Sequence, residues 1–184
     1  MDYIVLNRSY EDVVTYEEAA AHLRIWDEEE KAYVESLIAA AIGSAEAYMK
    51  RFIGVTEVAF SIPVFNAVLP FPDLLSLNNI MYVDPDTGAE ITLDGSTDYK
   101  LDRYKKKVTF TQGVIPSRVQ RLDVNASFGW GGANVPPNVK HAVLMLVATL
   151  YEMREDATVG QGVTVTKVPI THKYLLNPYR FYSI

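Results

Sequence analysis

Apolar and polar positions change rhythm along this chain, and each change predicts a different kind of element. Between residues 34 and 52 the apolar side chains recur three and four apart, so that Val34, Leu37, Ile38, Ala41, Ile42, Ala45, Tyr48, Met49 and Phe52 share one helical face. Ahead of it, Thr15-Tyr16-Glu17-Glu18 has the form of a capping box, with the Thr15 hydroxyl accepting an amide and Glu18 reaching back to the cap. It predicts a short helix over 16–24. Asp27, followed by Glu28, Glu29 and Glu30, predicts the start of the long helix as cap and dipole-complementing carboxylates. Lys50, Arg51 and Gly54 predict its end near Phe52. From Val55 the period shortens to two. Residues 55–65, 80–83, 89–93, 99–101, 107–111 and 121–128 read as strands, and Asp84-Pro85-Asp86-Thr87-Gly88 reads as a hairpin turn.

The helical period returns after Pro136 and Pro137, the second of which suits a first helical turn. Val139, Ala142, Val143, Leu146, Leu150 and Met153 fall on one face, and Leu144, Met145, Ala148 and Tyr151 make the flanks apolar too. Lys140, His141, Glu152, Arg154 and Glu155 leave only a thin polar strip. A helix apolar round most of its circumference is expected to be a central core element, packing Val143, Leu146 and Leu150 against the 27–52 helix. Residues 158–166, rich in Thr, Val and Gly, read as a loop or extended arm, and an apolar tail ends the chain. Segregated elements of this kind predict an α+β fold. The expected form is a small antiparallel helical bundle of two long helices plus a short N-terminal one, lying within about 15–52 and 137–156. An inserted β-rich block occupies about 55–130, and an extended C-terminal docking tail about 170–184, all in a single domain spanning 1–184.

Composition narrows the function. The chain has 184 residues, 49% of them hydrophobic, which is enough for a sizeable core. Its net charge of −6 argues against wholesale electrostatic binding of nucleic acid while leaving room for a local basic patch. The absence of cysteine removes disulfides, thiolate metal sites and cysteine nucleophiles. The first residues lack a secretory pattern, and no apolar run is long enough to span a bilayer, so no membrane role is expected. His22, His141 and His172 lie far apart in sequence without metal-ligand spacing. Asp84-Pro85-Asp86-Thr87-Gly88 misplaces the glycine of a calcium loop, and no glycine-rich phosphate loop or G-x-S-x-G elbow occurs. Neither a cofactor nor an enzymatic activity is expected.

Two surfaces remain. Arg103, Lys105, Lys106 and Lys107, with Lys100 nearby, form a basic cluster. It reads as a solvated hairpin tip whose lysines discourage edge pairing, or as a DNA-phosphate or subunit contact. The tail concentrates Tyr174, Leu175, Leu176, Tyr179, Phe181, Tyr182 and Ile184. Burial at about 1.5–3 kcal/mol per large side chain predicts that this tail docks, on its own core or on a partner.

Five stretches follow one another along the chain: Thr15-Tyr16-Glu17-Glu18-Ala19-Ala20-Ala21-His22-Leu23-Arg24-Ile25, then residues 124–130, Val135-Pro136-Pro137-Asn138-Val139-Lys140-His141-Ala142, Leu150-Tyr151-Glu152-Met153-Arg154-Glu155, and Leu175-Leu176-Asn177-Pro178-Tyr179-Arg180. As an ordered set they resemble the head–tail connector (adaptor) proteins of tailed bacteriophages and prophages. The resemblance implies a structural virion protein made in the bacterial cytoplasm. Such proteins form a ring, commonly of twelve subunits, under the portal, extend the DNA channel and receive the next neck, stopper or tail protein. It implies portal or partner contact through Tyr174, Leu175, Leu176, Pro178, Tyr179, Arg180, Phe181 and Tyr182. In such a ring Lys140, Glu152, Arg154 and Glu155 become candidate subunit contacts, and DNA passes without sequence-specific binding. The competing expectation is a DNA-packaging accessory protein that acts through the lysine cluster.

Overall fold

A computed structural model describes residues 2–10, 12–26, 28–104, 106–153 and 171–182. The fold is α+β, and the chain divides into two compact units, Met1–Ser9 with Gly54–Trp130, and Tyr10–Ile53 with Gly131–Ile184.

The first unit is built on a five-stranded antiparallel sheet in the order β1-β2-β7-β3-β4. Its strands are β1 (Tyr3–Ser9), β2 (Val55–Pro63), β3 (Leu74–Val83), β4 (Glu90–Thr92) and β7 (Arg121–Phe128). Strict alternation specifies the two central strands. Thr56, Val58, Phe60 and Ile62 of β2 face Phe128, Ala126, Val124 and Leu122 of β7 in register, and all eight are buried. A one-residue slip would turn this whole set to the other face. Phe60, Phe71 and Phe128 meet at 5.4–6.3 Å between ring centroids, in T-shaped or tilted contacts of the kind aromatic quadrupoles favour.

The pattern does not signal β1, which pairs with β2 from Tyr3 opposite Phe60 to Ser9 opposite Val55. It lies at the sheet edge with most positions exposed, so its apolar residues show no alternation. Likewise β3 begins six residues before the expected strand, through the polar Ser76, Asn78 and Asn79. Strands β5 (Tyr99–Asp102) and β6 (Lys107–Phe110) form a separate hairpin. A bridge between Val68 and Lys107 and the Leu69 N–H donating to the Lys106 carbonyl at 2.8 Å tie it to residues 67–69.

Among the described residues the second unit holds the helices α1 (Tyr16–Leu23), α2 (Lys31–Met49), α3 (Pro137–Glu152) and α4 (His172–Leu176). The capping box forms as expected, with the Glu18 N–H donating to Thr15 Oγ1 at 3.3 Å and the Thr15 N–H to Glu18 Oε2 at 3.1 Å. The expected cap Asp27 lies outside the described residues. A 3-10 turn at Glu28–Glu30 leads into α2, whose α-helical geometry starts at Lys31.

Helix α2 stops at Met49, with Lys50 left-handed at φ 57°, three residues short of the expected Phe52. The stop is made by Glu46, which is buried. Its carbonyl accepts from Lys50 N–H at 2.7 Å, and its Oε1 accepts from Ile53 N–H at 2.7 Å. A carboxylate capping its own helix end lets Phe52 and Ile53 turn into the core.

Helices α2 and α3 pack on each other, and the buried side of α3 keeps Val139, Ala142 and Val143 of the expected face while turning from Leu146 and Leu150 to Val147. Val139, Ala142, Val143 and Val147 are buried. Leu146 and Leu150 are only half-buried, and Met153 is 62% exposed. A helix apolar almost all round carries too little contrast to specify which residues face inward.

The tail also departs from expectation, because its described part is not extended. Residues 172–176 form α4, and Asn177–Tyr179 continue as a 3-10 turn.

Candidate docking surfaces

The tail is held on its own unit by three kinds of contact. Leu176 is completely buried. The Phe181 N–H donates to the Met49 carbonyl at 2.8 Å, so one carbonyl left over at the C-terminal end of α2 is paired with tail backbone, and the Arg51 side chain just beyond it donates through Nη1 to the Tyr179 carbonyl at 3.1 Å. The Arg180 guanidinium lies over the rings of Tyr48 and Tyr182, 5.2 Å from each centroid. Cation–π attraction at a partly exposed site is worth about 0.5–1 kcal/mol. Burial, and secondarily the adjacent Lys173 charge, lowers the His172 pKa below its ordinary value of 6.5.

The expected contact residues of the tail therefore divide. Tyr174 is 69% and Tyr182 63% exposed, and Pro178 is exposed as well. Leu175, Tyr179, Arg180 and Phe181 are half-buried. Leu176 has no surface to offer a partner in this conformation, since its side chain fills the core that an apolar residue in this turn can reach.

The basic cluster stands at a hairpin tip. Asp102 opposite Lys107 is the last pair of the β5–β6 ladder, so Arg103, Tyr104 and Lys106 lie in the connecting turn, with Lys106 left-handed at φ 50°. Arg103, Tyr104 and Lys107 are exposed and Lys106 is half-buried, while Lys105 lies outside the described residues. Aspartate organises this turn: Asp102 Oδ1 accepts the Tyr104 N–H at 3.0 Å.

The α3 strip separates. Lys140 forms a 2.6 Å ion pair with Glu18 of α1 in the same chain, and Glu152 is exposed. Arg154 and Glu155 lie outside the described residues. Sequence reasoning missed the Tyr151 hydroxyl donating to the Glu30 carboxylate, and the edge-to-face contact of His22 with His141 at 6.0 Å between centroids. No periodicity could have signalled either pair, whose members lie on different helices more than a hundred residues apart.

Asp84 and Gly88 close a turn in which the Asp86 N–H donates to Asp84 Oδ1 at 2.9 Å, while Asp86 pairs with Arg118 at 2.8 Å. Among the described residues no group of three or more acidic or histidine side chains is arranged to hold a metal ion. Nor is any described helix long and apolar enough to cross a membrane.

Residues 91–180 match the family described as phage gp6-like head-tail connector protein. Solved structures share the fold over essentially the whole chain. One is the neck of an empty gene transfer agent (GTA) particle computed with C6 symmetry, at TM-score 0.75 and 19% identity, covering 100% of this chain and 97% of that one. A second is the virion of a native gene transfer agent particle, at TM-score 0.76 and 18% identity with the same coverage. A third is the neck of a native GTA particle computed with C12 symmetry, at TM-score 0.67 and 18% identity, covering 98% and 97%. At these identities the likeness establishes the fold. A comparison with curated proteins finds no match. The family match runs from β4 through α3 to Arg180 and contains the motifs of residues 124–130, 135–142, 150–155 and 175–180, so over those residues the chain is similar to the gp6-like head–tail connector proteins of phages.

Proposed function

We propose that this protein is a non-catalytic component of a phage-like particle, a ring-forming connector placed between the portal of the head and the next neck, stopper or tail protein. The observation that carries the reading is the connector-family match over residues 91–180, which takes in both α3 and the docked tail. Necks of the same fold resolved with C6 and C12 symmetry support repetition around an axis. A ring of twelve copies made in the host cytoplasm and ending in the virion follows from that reading. Its α2–α3 pair serves as the scaffold of a small bundle and the β block as an insertion, within a single connector domain. Tyr174 and Pro178, exposed in the tail, are the portal-facing residues. Glu152 is a subunit contact, whereas Lys140 is already committed to Glu18.

DNA passes through such a ring without being read. An acidic protein suits that task, since a strongly basic lumen would retain the duplex. The test is light scattering behind size exclusion, with and without the portal protein. Oligomers alone, or stoichiometric uptake by portal rings, are expected. A chain that stays monomeric and ignores portal would overturn the reading.

The full exposure of Tyr104 beside Arg103 favours one second reading, duplex contact through the hairpin. It predicts salt-sensitive duplex binding that weakens on replacing Arg103 and Lys107 by alanine. Binding unaffected by those changes would dismiss it.

A further inference from the structure

Opposite ends of α2 present groups that the packing of this unit leaves without a partner among the described residues. Trp26, two residues before the 3-10 turn that opens the helix, is 94% exposed. Nothing in the folding of a single chain is gained by placing an indole in water, whereas tryptophan is among the residues most often found to dominate the energy of an interface. Glu28, two residues further on, is exposed as well.

At the other end, Arg180 lies 5.2 Å from the ring centroids of both Tyr48 and Tyr182. The rings fix the guanidinium without accepting its N–H groups, and among the described residues its buried Nε has no hydrogen-bond partner. The acceptor that fits a guanidinium edge is a carboxylate. Lys50 beside it is exposed too. Complementing the helix dipole accounts for acidic residues at the start of α2 and basic ones at its end. It accounts for neither the exposed indole nor the unsatisfied guanidinium.

We infer that these two patches bind each other between copies of the chain, Trp26 of one copy lying against the exposed Tyr182 ring of the next, with Glu28 facing Arg180 and Lys50. The occupant is a second copy because the two patches are complementary in charge and aromatic character and are carried by the same unit. The 19 residues of α2 separate them by about 28 Å at 1.5 Å per residue. A contact between opposite ends of one helix is heterologous, so it propagates from copy to copy and closes into a ring when the rotation allows. The inference rests on the ring reading and names the residues that would make the ring.

Sedimentation of the full chain at rising concentration, alone and with portal protein, tests it. Trp26→Ala is expected to raise the concentration needed for assembly at least tenfold without moving the thermal unfolding midpoint. Arg180→Ala is expected to weaken assembly by a similar factor, with at most a small fall in the midpoint from its lost stacking on Tyr48. An equimolar mixture of the two variants should form heterodimers, since the first keeps an intact Arg180 face and the second an intact Trp26. Glu28→Arg should block assembly, and combining it with Arg180→Glu should restore it.

If the unaltered chain never assembles, alone or with portal, the ring reading falls and this inference with it. If the unaltered chain assembles and Trp26→Ala assembles equally well, the inference alone is overturned. Assembly that persists while only portal binding is lost overturns it too, by assigning Trp26 to the portal.

Discussion

Leu176 in the C-terminal tail is fully buried, while Tyr104 at the β5–β6 tip is fully exposed, although both belong to segments whose residue patterns suggest contact with something else. The tail is rich in large apolar side chains, so burial stabilises it on the nearest available core, which α3 provides together with the C-terminal end of α2. The hairpin tip is rich in cations, which lose hydration on burial, so it stays in water. An apolar segment is thus a poor indicator of a partner surface, because its own domain competes for it. What the tail leaves outside is the informative part: Tyr174, Pro178 and Tyr182 are displayed because Leu176 is anchored.

Leu176→Ala gives the sharpest test of this contrast. Truncating a fully buried leucine costs about 2–5 kcal/mol, the spread depending on how far the cavity collapses. A fall in the thermal midpoint of the helical unit is expected, together with faster amide exchange at Phe181, whose N–H is bonded to Met49. An unchanged midpoint would mean that the tail is not docked in solution, and the comparison would dissolve.

The platform beneath the tail comes next in size. Glu46→Ala leaves the buried Ile53 N–H without its acceptor, a loss of about 1–3 kcal/mol. Glu46→Gln keeps an acceptor at that position and should lose much less. Equal losses in both variants, measured by urea unfolding, would show that the charge and not the hydrogen bond matters there.

These two residues also show where reading the chain succeeds and where it stops. Strict alternation made β2 and β7 legible, because two buried faces in register leave one consistent pattern. Tyr3-Ile4-Val5-Leu6 has no such alternation, and an edge strand with most side chains exposed needs none, so β1 was invisible. Glu46 reads as a solvent-facing residue within an otherwise apolar stripe; only the chain reversal at Lys50 brings Ile53 back to it. Helix α3 was legible as a helix, while its uniform apolar character concealed the inward face, which is that of Val147 rather than Leu146 or Leu150. The partition of the tail was hidden for a related reason, since a five-residue helix is too short to display a period.

A smaller effect concerns Glu18, whose pairing removes Lys140 from the set of free surface charges. The Lys140 hydrogen bond, the largest cause, holds the Glu18 carboxyl below its ordinary 4.5. A depressed folded pKa contributes stability that is complete above the unfolded value and is lost as pH falls through the folded one. Because the two side chains are 33% and 40% exposed, solvent screening limits the contribution to less than about 1 kcal/mol. Lys140→Met should lower stability at neutral pH by less than about 1 kcal/mol and flatten the acid limb below pH 4.5, so that the two profiles converge at low pH. A large loss at pH 7 would mean that the pair is worth more than its exposure allows.

The hairpin tip should give the smallest effect of all. Arg103 and Tyr104 are exposed in the turn between β5 and β6, and the contacts holding the turn are made by backbone and by Asp102. Replacing both by alanine should change unfolding free energy by no more than about 0.5 kcal/mol, the usual range for surface positions without special contacts. Among the described residues Tyr104 is held through its N–H, which Asp102 accepts, and alanine keeps that N–H. A loss well beyond that range would show that the tip is packed in solution, and the contrast with the tail would fail from the hairpin side. Unchanged stability combined with weakened assembly or duplex binding would instead show that the tip works outward, as the tail does through the part of itself left exposed.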